Sequence, residues 1–290
     1  VTSGAREPAD FVVSRGGLRV AGLDWGGTGP ALVLLHPNGF CAGLFDPLAR
    51  RLATDRRVVG VDLRGHGGSD RPTERSAYRF AELAGDVVAV LDALGIERAA
   101  LLGVSLGGGV GIIVDQLAPG RVAALVLCEA IAFPISGRDA RGSANPMAEL
   151  ARRRRAIWPD RATMAASYAG RAPLNALAPE ALTAYLRWGT RDRADGKVEL
   201  CCPPEIEATI FEVSAEPGGA EAAWAHLGAL PCPAAVLYGT RSDLPREWFE
   251  GQAQRAAAPL RAVDGGHFFL HEDTARAERL VRAVLAELGA

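Results

Sequence analysis

Lysine is almost missing from this chain: Lys197 is the only one, and 32 basic residues against 34 acidic ones leave a formal net charge of −2. A balance this close to neutral leaves no electrostatic footprint for nucleic acid or an anionic lipid surface, so neither is expected as a partner. Long apolar runs are absent too. No stretch stays apolar over the roughly 20 residues that a bilayer span requires. Residues 1–10 also lack the basic segment and apolar run of a secretory signal, and the expected location is the cytoplasm. Cysteine is sparse and unpatterned. The five residues Cys41, Cys128, Cys201, Cys202 and Cys232 are odd in number and form no C-x-x-C pair, which indicates neither a disulfide framework nor a zinc site. No metal or organic cofactor is expected.

What the chain does have is a series of short apolar runs, each ending in a glycine-rich turn. The most informative run, residues 99–102, leads into Gly103-Val104-Ser105-Leu106-Gly107, followed by an apolar, small-residue stretch to Leu117 with helical character. Gly-x-Ser-x-Gly between a strand and a helix describes a strained turn that exposes a serine oxygen. Such a serine needs a left-handed backbone, and flanking glycines let strand and helix pass closely. Three further runs end in polar turns. Residues 31–35 lead to His36-Pro37-Asn38-Gly39-Phe40, residues 234–238 to Gly239-Thr240-Arg241-Ser242-Asp243, and residues 260–263 to Asp264-Gly265-Gly266-His267-Phe268-Phe269.

Strands near Ala31, Val58, Ala99 and Val122 alternate with helical stretches at residues 44–52 and 80–94, after a hairpin over residues 11–14 and 18–25. Alternation of continuous apolar strands with helices predicts an α/β protein with a mainly parallel sheet covered on both faces. Ligands bind beyond the carboxyl ends of such strands, and Ser105, Asn38, Asp243 and His267 all fall there.

Together with Asp62-Leu63-Arg64-Gly65-His66-Gly67-Gly68-Ser69, these motifs resemble a serine hydrolase of the α/β-hydrolase superfamily, esterase- or lactonase-like and with a helical lid. The resemblance implies a Ser105, acid, His267 triad in that chain order. Asp243 follows the strand that usually carries the acid and is preferred. Glu129, at the end of residues 122–128, is the alternative used by some members. The backbone N–H groups of Asn38 and Leu106 are implied as the oxyanion hole. The family usually has His-Gly where this chain has His36-Pro37; proline lacks an N–H, but the implied donor is the next residue. The reaction implied is two-step acyl transfer on a carboxylic ester, lactone or thioester of a small, largely apolar molecule, by a monomer or homodimer. Carbon–carbon bond hydrolysis, perhydrolysis or lyase chemistry with the same triad stay open, as does a non-catalytic ligand-binding homologue.

Between residues 133 and 228 the pattern shifts to helix-prone segments at residues 147–157, 162–169 and 179–188. This places a cap at 133–228, inserted into a core made of residues 1–132 and 229–290. Phe40, Phe133, Trp158, Trp188 and Phe268 are the expected apolar walls of the substrate pocket. The run Arg152-Arg153-Arg154-Arg155 reads as a solvated helix face, with carboxylate binding as the lesser alternative. His36 and His66 read as loop buttresses, His271 as a competitor of His267, and His226 as a surface or cap residue.

Overall fold

The computed structural model describes residues 7–134 and 145–290; the first six residues of the expected core and residues 135–144 of the expected cap lie outside it. Its strands are β1 (Ala9–Arg15), β2 (Leu18–Gly26), β3 (Ala31–Leu35), β4 (Arg57–Val61), β5 (Ala99–Val104), β6 (Val122–Cys128), β7 (Ile157–Trp158), β8 (Thr190–Asp192), β9 (Val198–Leu200), β10 (Ala234–Gly239) and β11 (Leu260–Val263). The helices are α1 (Asp46–Leu52), α2 (Phe80–Ala93), α3 (Leu106–Leu117), α4 (Pro146–Arg152), α5 (Arg161–Ala169), α6 (Pro179–Trp188), α7 (Pro204–Ser214), α8 (Ala220–Leu227), α9 (Arg246–Arg255), α10 (Phe269–Glu272) and α11 (Thr274–Glu287).

Eight strands form one sheet in the order β1-β2-β4-β3-β5-β6-β10-β11. The β1–β2 hairpin and the β2–β4 pair are antiparallel, and the remaining pairs are parallel. Successive side chains of a strand point to opposite faces, and the core divides accordingly. Val33, Leu35, Val59, Val61 and Leu101 pack with residues of α2, α3, α8 and α9 on one face. Leu32, Leu34, Val58, Leu102 and Val104 pack with residues of α1 and α11 on the other. Two buried faces explain why these strands read as unbroken apolar runs.

Parallel register brings the strand ends together. Val104 pairs with Cys128, Cys128 with Leu237, and Leu35 with Gly103. Residues following β3, β5, β6 and β10 therefore emerge side by side at one edge of the sheet.

The segment between β6 and β10 departs from the expected pattern in several places. The helix expected over 147–157 stops at Arg152, and Ile157–Trp158 pairs instead with β9 in a small antiparallel sheet, β7-β9-β8. Helices α5 and α6 match their expected spans closely. Helix α8 packs on α3, and its Ala223 and Leu227 belong to the main core. His226 ties the same two helices together through a 3.0 Å contact between Nε2 and Asp115 Oδ2, rather than lying free on the surface. Among the described residues, no helix is long and apolar enough to cross a membrane.

Candidate active site

Ser105 sits at the turn from β5 to α3 with φ 56° and ψ −117°. A positive φ is costly for a residue with a Cβ and persists only where surroundings impose it. Here the imposition is visible. A Cβ on Gly103 would lie 2.4 Å from Gly107 O, and one on Gly107 would lie 2.1 Å from Leu35 O. Strand, helix and the neighbouring strand thus pass closer than side chains permit, which is what the two glycines of the motif provide. Ser105 is buried, and its backbone is tied to the end of β6 through Ser105 N to Cys128 O at 2.9 Å and Ile131 N to Ser105 O at 3.0 Å.

That second strand end carries a carboxylate. Glu129 is fully buried and has φ 52°, a second non-glycine residue in the left-handed region. Its carboxylate accepts from Gly239 N at 2.6 Å through Oε1, and from Ser242 Oγ at 2.5 Å through Oε2. Oε2 also meets His267 Nδ1 at 2.8 Å. A carboxylate accepts only, when ionised, so Nδ1 carries the proton and Nε2 is left as the basic nitrogen. The preference for Asp243 is therefore corrected. Asp243 is exposed and makes no hydrogen bond to His267 among the described residues. The β10 turn delivers an amide and the Ser242 hydroxyl to Glu129 instead of a carboxylate to the histidine. Ser242 escaped the sequence reading, although a hydroxyl one residue before Asp243 was a usable signal.

Several close approaches hold His267 in place. A Cβ on Gly239 would lie 2.3 Å from Gly266 O, so the histidine loop rests directly on the end of β10. Phe268 packs edge-on against His267 at 4.9 Å between ring centroids. No hydrogen bond joins Ser105 Oγ to His267 among the described residues; catalytic contacts of this kind often tighten only with substrate bound. His271, the competitor in sequence, is buried against Phe45 with Nε2 unpartnered. Burial pushes its pKa down to about 3.

The turn after β3 holds Asn38. Among the described residues, no acceptor takes its backbone N–H. The N–H of Leu106, first residue of α3, is unpaired by helix geometry. His36 and His66 buttress this turn, as expected. Leu63 N donates to His36 Nε2 and Gly39 N donates to His66 Nε2, each at 3.0 Å. Each ring is thus neutral with its proton on Nδ1, facing Pro37 O in one case and Leu63 O and Arg64 O in the other. Burial lowers the His36 pKa to about 4 and takes His66 well below its ordinary value. Asp62 accepts from Ala42 N and Gly68 N, and burial raises its pKa to about 6. The Asp62–Ser69 motif is thus scaffolding for the Asn38 turn.

The expected aromatic walls are scattered. Phe40 packs between Tyr185 and Phe268, at 4.7 and 5.1 Å. Phe133 stacks on Trp248 of α9 at 4.0 Å. Trp158 is buried against Tyr168 and donates to Arg155 O, whereas Trp188 lies over Gly43. Of the arginine run, only Arg152 belongs to α4. Arg154 departs from the solvated-face reading by pairing with Glu207 of α7. No group of three or more His, Cys, Asp or Glu side chains is arranged to hold a metal ion among the described residues.

Comparison with known proteins agrees with this architecture. The sequence profile of the alpha/beta hydrolase fold matches residues 30–227. The dihydrolipoyllysine-residue acetyltransferase component of the acetoin cleaving system of Pseudomonas putida is 41% identical over 126 residues, covering 42% of this chain and 33% of that protein. Epoxide hydrolase B of Mycobacterium tuberculosis (strain ATCC 25618 / H37Rv) is 38% identical over 117 residues, covering 39% and 32%. The matched region thus spans about a third of the length of these curated relatives. Among solved structures, E-2-(acetamidomethylene)succinate hydrolase superposes with a TM-score of 0.83 at 20% identity, covering 98% of this chain and 100% of that one. The chain belongs to the alpha/beta hydrolase fold family.

Proposed function

We propose that the protein is a serine hydrolase that cleaves a carboxylic ester, lactone or thioester of a small, largely apolar molecule through Ser105, His267 and Glu129. The observation that carries this reading is the buried Glu129 carboxylate on His267 Nδ1, beside a serine held at positive φ. An orienting acid, a histidine of fixed tautomer and a serine hydroxyl are the parts that nucleophilic acyl transfer requires.

In this reading Ser105 Oγ attacks the carbonyl carbon while its proton passes to His267 Nε2, and Glu129 stabilises the imidazolium. The oxyanion accepts the N–H groups of Asn38 and Leu106, aided by the positive end of α3. Collapse expels the alcohol or thiol, which takes the proton from His267, and leaves an acyl group on Ser105. A water then gives a proton to His267 and attacks the acyl carbon, releasing the acid and restoring Ser105. Phe40 and Phe268 supply apolar wall next to the reacting atoms, and residues 133–228 serve as the cap.

A fluorophosphonate probe followed by peptide mass spectrometry tests the assignment. Ser105 is the expected labelled residue, and Ser105→Ala abolishes both labelling and most hydrolysis of p-nitrophenyl acetate. Labelling elsewhere, or full turnover by folded Ser105→Ala, would overturn it.

A further inference from the structure

The turn that carries Asn38 is held from two directions. From the core, Gly39 N donates to His66 Nε2 at 3.0 Å, and Phe40 N closes the turn onto Pro37 O at 3.3 Å. From the segment between β6 and β10, the Asn38 side chain donates to Glu207 O at 2.9 Å, and Tyr185 OH donates to Gly39 O at 3.1 Å. These last two contacts come from different helices, α7 and α6, and a single side chain joins them. Arg154 pairs through Nη1 with the Glu207 carboxylate and through Nη2 with Tyr185 OH at 3.0 Å and Tyr168 OH at 3.3 Å.

Nothing separates this cluster from the turn. Gly39 has φ 79°, and a Cβ there would lie 2.7 Å from Glu207 Oε1 and 2.8 Å from Arg154 Nη1. The Glu207 side chain is 9% exposed and needs a cation beside it. A lysine would answer that need equally well. Only the planar fork of arginine also reaches two phenols in fixed directions. Both terminal nitrogens of Arg154 are thereby occupied, which suits a strut better than a receptor for a substrate carboxylate.

We propose that Arg154, acting through Glu207 and Tyr185, is a positioning residue that sets the Asn38 N–H for the reacting oxyanion; the inference rests on the serine-hydrolase reading above. A hydrogen-bond donor stabilises a developing oxyanion only if it is held where the charge appears. The arginine cluster supplies that hold from outside the sheet, so the seating of α6 and α7 governs the chemical step more than substrate binding.

The test uses the rate at which a fluorophosphonate inactivates the full chain, separated into the maximal rate and the half-saturating concentration, because its phosphoryl oxygen occupies the same hole. Tyr185→Phe keeps the ring and removes the bond to Gly39 O. It is expected to lower the maximal inactivation rate about tenfold, the worth of one hydrogen bond, with the half-saturating concentration unchanged. Arg154→Lys keeps the charge beside Glu207 and is expected to keep the urea midpoint while lowering the maximal rate to a similar degree. Arg154→Lys combined with Tyr185→Phe is expected to be little worse than either alone, because both act through one contact. Wild-type inactivation by folded Tyr185→Phe would overturn the inference and leave the triad reading intact. Absence of Ser105 labelling in the wild type would overturn both.

Discussion

Along the sheet, the groups that assemble the site are each announced by their own few residues: an apolar run, a glycine, then the functional side chain. Ser105 and His267 belong to this class, and each sits where its local pattern puts it. Residues 145–228 reach the same site differently. Arg154 meets Glu207 across 53 residues of sequence, Tyr185 meets Gly39 across 146, and Asn38 meets Glu207 across 169. No local motif accompanies any of these contacts. In the sheet, backbone geometry carries the site to its place. In the segment between β6 and β10, polar side chains far apart in sequence do so, and tertiary packing alone brings them together.

This contrast predicts that backbone substitutions at the strand ends cause larger effects than side-chain changes elsewhere. Gly239→Ala is the backbone change expected to matter most. Its Cβ would meet Gly266 O at 2.3 Å, while Gly239 N must keep its bond to Glu129 Oε1. A shift of about an ångström in the histidine loop costs on the order of 100-fold in rate, with overpacking adding about 1–3 kcal/mol of lost stability. Wild-type kcat/KM in Gly239→Ala would show that the His267 loop does not depend on that close approach.

A second effect concerns acid stability and again singles out the sheet region. His36, His66 and His271 are buried with pKa values lowered by burial from an ordinary 6.5, to about 4 for His36 and about 3 for His271. The unfolded chain binds these protons below pH 6.5 and the native chain does not, so stability is fully present above pH 6.5 and falls as pH drops toward 4. Asp62, raised by burial to about 6, runs the other way: the native state holds its proton where the unfolded state has lost it. Between pH 7 and pH 5 the balance is a loss of about 2 kcal/mol each from His36 and His271, with His66 acting in the same direction, against a gain of about 1 kcal/mol from Asp62. Urea midpoints at the two pH values measure it, and His271→Phe should reduce the difference. An unchanged midpoint would contradict the neutral state of the three rings.

The acid shows where the sequence stopped short inside the sheet itself. Asp243 and Glu129 both stand after an apolar strand, and both satisfy the order serine, acid, histidine. What separates them is strand order. Because β6 lies between β5 and β10, Glu129 emerges beside the Ser105 backbone, whereas Asp243 lies four residues beyond Gly239 on an exposed turn. Linear spacing contains no information on which strands are neighbours. The segment between β6 and β10 is legible only where helical periodicity runs uninterrupted, as in α5 and α6. The two-residue strand Ile157–Trp158 depends on pairing with β9, a partner about 40 residues away.

Glu129, not Asp243, holds His267 Nδ1, at 2.8 Å. The most direct test measures kcat/KM for p-nitrophenyl acetate in Glu129→Gln and Asp243→Asn, with folding checked by urea midpoint. Replacing the orienting carboxylate by an amide favours the wrong imidazole tautomer and costs on the order of ten-thousandfold. Glu129→Gln is therefore predicted to be nearly inactive while Asp243→Asn stays within about threefold of the wild type, as expected of an exposed side chain with no bond to the histidine. A dead Asp243→Asn beside an active Glu129→Gln would give the orienting role to Asp243 instead.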